Sequence, residues 1–236
     1  MDVKRIKLWD LPTRLFHWLL VILIVSAVVT GKIGGGAIEW HGRIGLAILG
    51  LIAFRLAWGI IGSSHARFAS FFPTPSSVRA YLSGQWRGVG HNPLGAFSVF
   101  GLLALIAAQL GSGVFSNDDI AFSGPLSSLI SKALSDKLSG IHEFTVNILI
   151  ALIVLHLAAI VFYVYVKKDN LVKPMLTGWK DIEPAKGEAG ESAKGGGALA
   201  FIVALSIALA AVYAGSGAWL PAPPPPPATS TSTPVW

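Results

Sequence analysis

Five apolar runs recur along the chain, separated by short polar stretches, and each is near the roughly 20 residues that a helix needs to cross a hydrocarbon core. The first runs from about Leu15 to Gly31 with no charged side chain. The second runs from about Ile38 to Gly62, with Arg43 near its start and Arg55 inside it. The third covers about Leu94 to Phe115, the fourth about Leu138 to Val166, and the fifth Ala198 to Leu220. This pattern predicts an all-α membrane protein with five spans.

Composition agrees. Of the 236 residues, 53% are apolar and 13% charged, whereas a soluble domain carries about a quarter charged residues. Too little charge is present to clothe a surface in water. The chain has no cysteine, which excludes disulfides, thiolate zinc sites, iron–sulfur clusters and covalent c-type haem attachment within it. A metal here must be held by histidine, carboxylate or methionine. The formal charge of +6 is spread over the connections rather than gathered in one basic face, so no nucleic-acid partner is expected.

The charges instead report topology. Lys4, Arg5, Lys7 and Arg14 precede the first span, Arg67, Arg79 and Arg87 lie between the second and third, and Lys167, Lys168, Lys173 and Lys180 follow the fourth. On the other side, Lys32 stands in one connection, and Lys132 and Lys137 are offset by Asp118, Asp119 and Asp136 in the other. The positive-inside rule then predicts a cytoplasmic amino terminus and, with an odd number of spans, a carboxyl terminus outside. The first run is longer than a usual signal-peptide core and has no small-residue cleavage signal beside Thr30 and Gly31, so it is expected to be kept as a span. Composition divides the chain into a four-span unit (1–180), a flexible Glu/Lys/Ala/Gly linker (181–197), a fifth span (198–220) and a proline-rich tail (221–236).

The candidate chemistry lies in six histidines. His142 and His156 are fourteen residues apart, which on a helix is about 21 Å of rise and nearly one face. His41, at the outer end of the second span, shares a depth with His142. His17, at the inner end of the first, shares one with His156. Two imidazoles from facing helices are what a six-coordinate low-spin haem requires, because the porphyrin supplies the equatorial nitrogens. The pattern thus predicts two haems stacked across the membrane. Arg55 is fourteen residues beyond His41, and Gly59 fourteen beyond Gly45. A glycine one turn from a ligand leaves room for a macrocycle, and Arg55 at membrane depth suits an anionic propionate. Arg43 joins this cofactor-facing set. His65 and His91 read as loop residues, with His91 a rival of His17.

The stretches WDLPTRLFHWLL around His17, IEWHGRIGLAILGLIAFRLAWGIIGSSHARF around His41, GHNPLGA at the third span and the His142/His156 pair resemble the bacterial cytochrome b561 family, relatives of the cytochrome b subunits of nickel–iron hydrogenases and formate dehydrogenases. The resemblance covers about residues 3 to 180. It implies a four-helix transmembrane di-haem bundle with His17, His41, His142 and His156 as axial ligands of two haem b groups. It also implies a multi-pass protein of the bacterial inner membrane that moves electrons between a periplasmic partner and the quinone pool. That partner is expected to be a c-type cytochrome, a hydrogenase or a dehydrogenase subunit. The fifth span and proline tail depart from the common four-span form. Two other readings remain at this stage: a self-sufficient superoxide:ubiquinone oxidoreductase, with Lys32, Arg43, Lys132 and Lys137 steering the anion, and a haem-free transporter or assembly scaffold. An electron-transfer subunit is favoured over a stand-alone enzyme.

Overall fold

The computed structural model describes residues 3–120, 122–183 and 190–221. A short strand β1 (Lys4–Lys7) leads into α1 (Leu11–Ile33) and α2 (Ala37–Ile61); α3 (Pro75–Leu82) is a short helix before α4 (Pro93–Gly113). The long α5 (Lys132–Tyr165) is followed by α6 (Val172–Thr177), strand β2 (Trp179–Ile182) and α7 (Ala198–Gly215). Helices α1, α2, α4, α5 and α7 are long and apolar enough to cross a membrane, as the apolar runs predict. The protein is a multi-pass, predominantly helical membrane protein.

Helix starts follow from local sequence. Asp10 caps α1 by accepting from Thr13 N at 2.7 Å, and Asn92 caps α4 by accepting from Gly95 N at 2.8 Å. Pro12 and Pro93 sit in the first turns, where the missing amide hydrogen costs nothing. The α1–α2 connection turns through Gly34 and Gly35, at φ 66° and 53°, a region glycine enters without a Cβ clash.

The packing runs α1 on α2, α2 on α4, α4 on α5, and α7 along α2. Phe16, Ile52, Leu103, Ile106 and Leu149 form the shared core. The fifth span fits closely. Ala204 and Ala208 are buried, Phe201 meets the rings of Phe54 and Trp58 edge-on at 5.7 and 6.2 Å, and a Cβ at Gly50 would stand 2.7 Å from Val212 Cγ2.

Two features lie outside the helical expectation. β1 and β2 pair antiparallel with Lys4 opposite Ile182, so the chain before the first span and the chain after the fourth meet at one end, here the sheet end. The segment expected to be a loose linker from 181 onward begins inside β2, and its later part is docked there too. Ala193 N donates to Lys7 O at 2.7 Å, Ser64 N to Lys194 O at 2.8 Å, and Ser63 bridges Gly195. Backbone hydrogen bonds hold this glycine-rich stretch without needing apolar side chains, which is why composition alone reads it as a tether. Residues 184–189 of that linker, and the proline-rich tail after Pro221, lie outside the described residues.

Candidate functional site

Of the six histidines, the structure brings the rings of His41 and His142 together at the end distal to the sheet. Their ring centroids are 5.9 Å apart and the rings are nearly perpendicular, at 87°. Each ring is held by the same device on the helix behind it. His41 Nδ1 lies 2.8 Å from Ala27 O of α1, and His142 Nδ1 lies 2.9 Å from Gln109 O of α4. Four residues beyond each of these carbonyls is a glycine. A helical side chain leans back over the preceding turn, so a Cβ at Gly31 would stand 3.0 Å from His41 Nδ1, and one at Gly113 would stand 2.8 Å from His142 Cε1. The two glycines are notches through which an imidazole reaches a backbone carbonyl. With Nδ1–H donated to that carbonyl, Nε2 is left as a lone pair free to bind a metal. Gln109 also grips its partner from the other side, donating Nε2 to His142 O at 3.0 Å while accepting from Thr145 Oγ1.

At the sheet end, His17 stands on α1 and His156 on α5. His17 Nδ1 is buried with no hydrogen-bond partner among the described residues, and the ring meets Trp18 edge-on at 5.0 Å. Arg55 is buried, its guanidinium 4.5 Å from the Phe68 ring centre, and its Nη1 is without a partner among the described residues. Nearby Asp10 accepts from Trp58 Nε1 at 2.9 Å as well as capping α1.

The remaining candidates sit apart from these pairs or differ from the expected setting. Gly45 has open space where a Cβ would be, whereas the Phe68 ring lies against Gly59. Arg43 is exposed and ion-paired with Glu39 at 2.5 Å. His91 is wedged between the rings of Trp9 and Phe71, at 4.7 and 4.4 Å. Burial first, then the charges of Arg55, His65 and His156, lowers its pKa to about 3, so it is neutral at physiological pH. His65 bonds Glu191 O through Nε2 at 2.8 Å. His65, His91, Phe71, Trp86, Ser70 and Ser77 line a cavity of about 260 Å³ at the sheet end. Gly31, Gly113 and Gln109 are the residues that sequence reasoning missed, because nothing in one helix's sequence says which neighbouring ring it will receive.

The donor set tests which metal group fits. Among the described residues, no cluster of three or more His, Cys, Asp or Glu could hold a metal ion. Bare metal is therefore poorly served, but a metal that brings its own equatorial ligands is well served by two opposed imidazoles.

An all-helical membrane bundle with opposed imidazoles is the framework of a b-type cytochrome. Residues 8–178 match the family described as prokaryotic cytochrome b561, and the chain belongs to that family of membrane electron-transfer proteins. It is similar to a probable Ni/Fe-hydrogenase B-type cytochrome subunit of Azotobacter chroococcum, 22% identical over 218 residues that cover 74% of this chain and 88% of that protein. It is also similar to a probable Ni/Fe-hydrogenase B-type cytochrome subunit of Cupriavidus necator, 29% identical over 130 residues that cover 42% of this chain and 52% of that one. No solved structure matches it.

Proposed function

We propose that this protein is a di-haem subunit in which His41 and His142 ligate one haem b and His17 and His156 the other. It carries electrons between a periplasmic redox partner and membrane quinone. The observation that carries the reading is the pair of carbonyl-fixed imidazoles, His41 and His142, whose ring centres lie 5.9 Å apart with each Nδ1 held on a backbone carbonyl. Haem with both axial positions filled supplies one-electron transfer without binding substrate at iron. The chain's part is to hold the ligand tautomers, keep water out and space the two sites by about 21 Å along the helices. The open space at Gly45 gives a macrocycle a place beside α2. Arg55, with an unused guanidinium nitrogen, suits a carboxylate of the sheet-end haem. The exposed, paired Arg43 is left with a surface role near the distal haem.

The relatives' name favours a hydrogenase as the partner over a c-type cytochrome or another dehydrogenase. The cavity between His65 and His91, with aromatic walls and hydroxyl and imidazole groups, suits a quinone headgroup. The excess of basic residues favours a cytoplasmic sheet end and periplasmic distal connections in a bacterial inner membrane, with residues 1–180 as the haem-bearing unit and 198–220 as an added span. The superoxide reading is the weaker one. Of the four cations it needs, Arg43 is paired with Glu39, and Lys132 with Asp119 and Asp136.

The test is a haem count. Purified protein is expected to show b-type absorption bands and two haems per chain by pyridine haemochrome, and His17→Ala or His156→Ala to retain one. Absence of those bands refutes both redox readings in favour of a haem-free role, and two haems retained in either variant refutes the pairing.

A further inference from the structure

The two histidine pairs differ in ways that decide where an electron rests. At the distal end both Nδ1 atoms are bonded to backbone carbonyls, Ala27 O and Gln109 O, at 2.8 and 2.9 Å. An imidazole that donates its N–H becomes a more basic ligand, and a more basic ligand favours the more highly charged oxidised metal. At the sheet end that support is missing. His17 Nδ1 is buried without a partner among the described residues. The weaker ligand field there favours the reduced metal.

Fixed charge acts in the same direction. Arg55 is buried near the sheet end, with Nη1 unpartnered among the described residues and one face over Phe68. A cation in a low-dielectric setting favours whichever redox state carries less positive charge. Asp10 opposes it in part, its two oxygens accepting from Thr13 N and Trp58 Nε1. At the distal end, Arg43 and Lys132 are exposed and ion-paired, where solvent screens them.

We propose that the His17/His156 site holds the higher-potential haem and that Arg55 is the side chain that sets the gap. This rests on the bis-histidine reading. One electron shared by the two sites then leaves the distal iron oxidised and the sheet-end iron reduced, with no bond or proton exchanged. The resting place lies at the same end as the His65/His91 cavity, so the protein is graded to deliver electrons away from the distal face.

The experiment is an equilibrium redox titration of the full chain in detergent, followed by absorbance, with low-spin electron paramagnetic resonance to follow each ferric site. Two one-electron waves are expected. In Arg55→Gln the upper wave should fall by about 59 mV, a tenfold change for one electron, with the lower wave unmoved. Arg55→Lys should restore most of the gap. His17→Ala should abolish the upper wave and leave the lower. Where that variant fails to assemble, the Arg55→Gln shift read on the two ferric signals assigns the waves instead. A shift confined to the lower wave, no shift at all, or loss of the lower wave in His17→Ala overturns the proposal while leaving two haems in place. Protein with no haem wave overturns the bis-histidine reading beneath it, which is a different result.

Discussion

At the scale of single residues, the glycine notches carry a sharper consequence than the histidines themselves. Gly113 and Gly111 share one helix turn, yet a Cβ at Gly113 would stand 2.8 Å from the His142 ring, and one at Gly111 would meet nothing within 4 Å. Gly113→Ala must push the imidazole off the Gln109 carbonyl or spread α4 from α5. It should therefore lower haem occupancy to about one per chain, or shift the spectrum of the distal site. Gly111→Ala removes a helix-interior glycine that is about 1 kcal/mol less favourable than alanine, and should leave haem content unchanged. A haemochrome assay on the two variants decides the point. Helical rise converts a spacing of fourteen residues into depth, which is why the sequence suggests His41 and His142 at one level, where their rings lie 5.9 Å apart. The notches were not legible in the sequence. Gly31 and Gly113 look like any packing glycine until the neighbouring helix and its ring are known, and the crowding of Gly59 by Phe68 depends on the fold of a loop nine residues further on.

At the scale of elements, Asp10 joins α1 to α2. One carboxylate oxygen caps α1 through Thr13 N, and the other takes the indole N–H of the fully buried Trp58 on α2. Asp10→Ala loses a cap worth about 0.5–2 kcal/mol and leaves a buried donor unpaired at about 1–3 kcal/mol. The expected cost is about 2–4 kcal/mol, read as a lower unfolding temperature in detergent. Asp10→Asn keeps an acceptor for the cap and turns a donor toward Trp58, so it should lose only part of that amount. Long apolar elements are readable because burial in lipid demands an unbroken run, and the five spans fall within a few residues of their expected limits, save that α5 begins six residues earlier, at Lys132, and α7 ends five residues earlier, at Gly215. The β1–β2 pair escaped because each strand has four residues and its partner lies far away in the chain. No periodicity can build in so short a run.

At the scale of the whole molecule, the strand pairing, the α2–α4 connection and the start of α7 are all tied to one end, and the basic residues Arg67, Arg79, Arg87, Lys167 and Lys168 gather there in the sequence. Charge and backbone pairing thus sort the chain into the same two ends by independent routes. The orientation this implies has a clean test, because the chain has no cysteine of its own. A cysteine in place of Ile120, which is 92% exposed in the distal connection, should be labelled by a membrane-impermeant thiol reagent added to intact cells whose outer membrane has been opened. A cysteine in place of Arg87 should be labelled only after the inner membrane is broken. The reverse pattern would put the sheet end, and with it the His65/His91 cavity, on the periplasmic side. The direction inferred from Arg55 would then run outward rather than inward. Sidedness and the order of the two potentials are separate measurements, and together they fix which compartment supplies the electron.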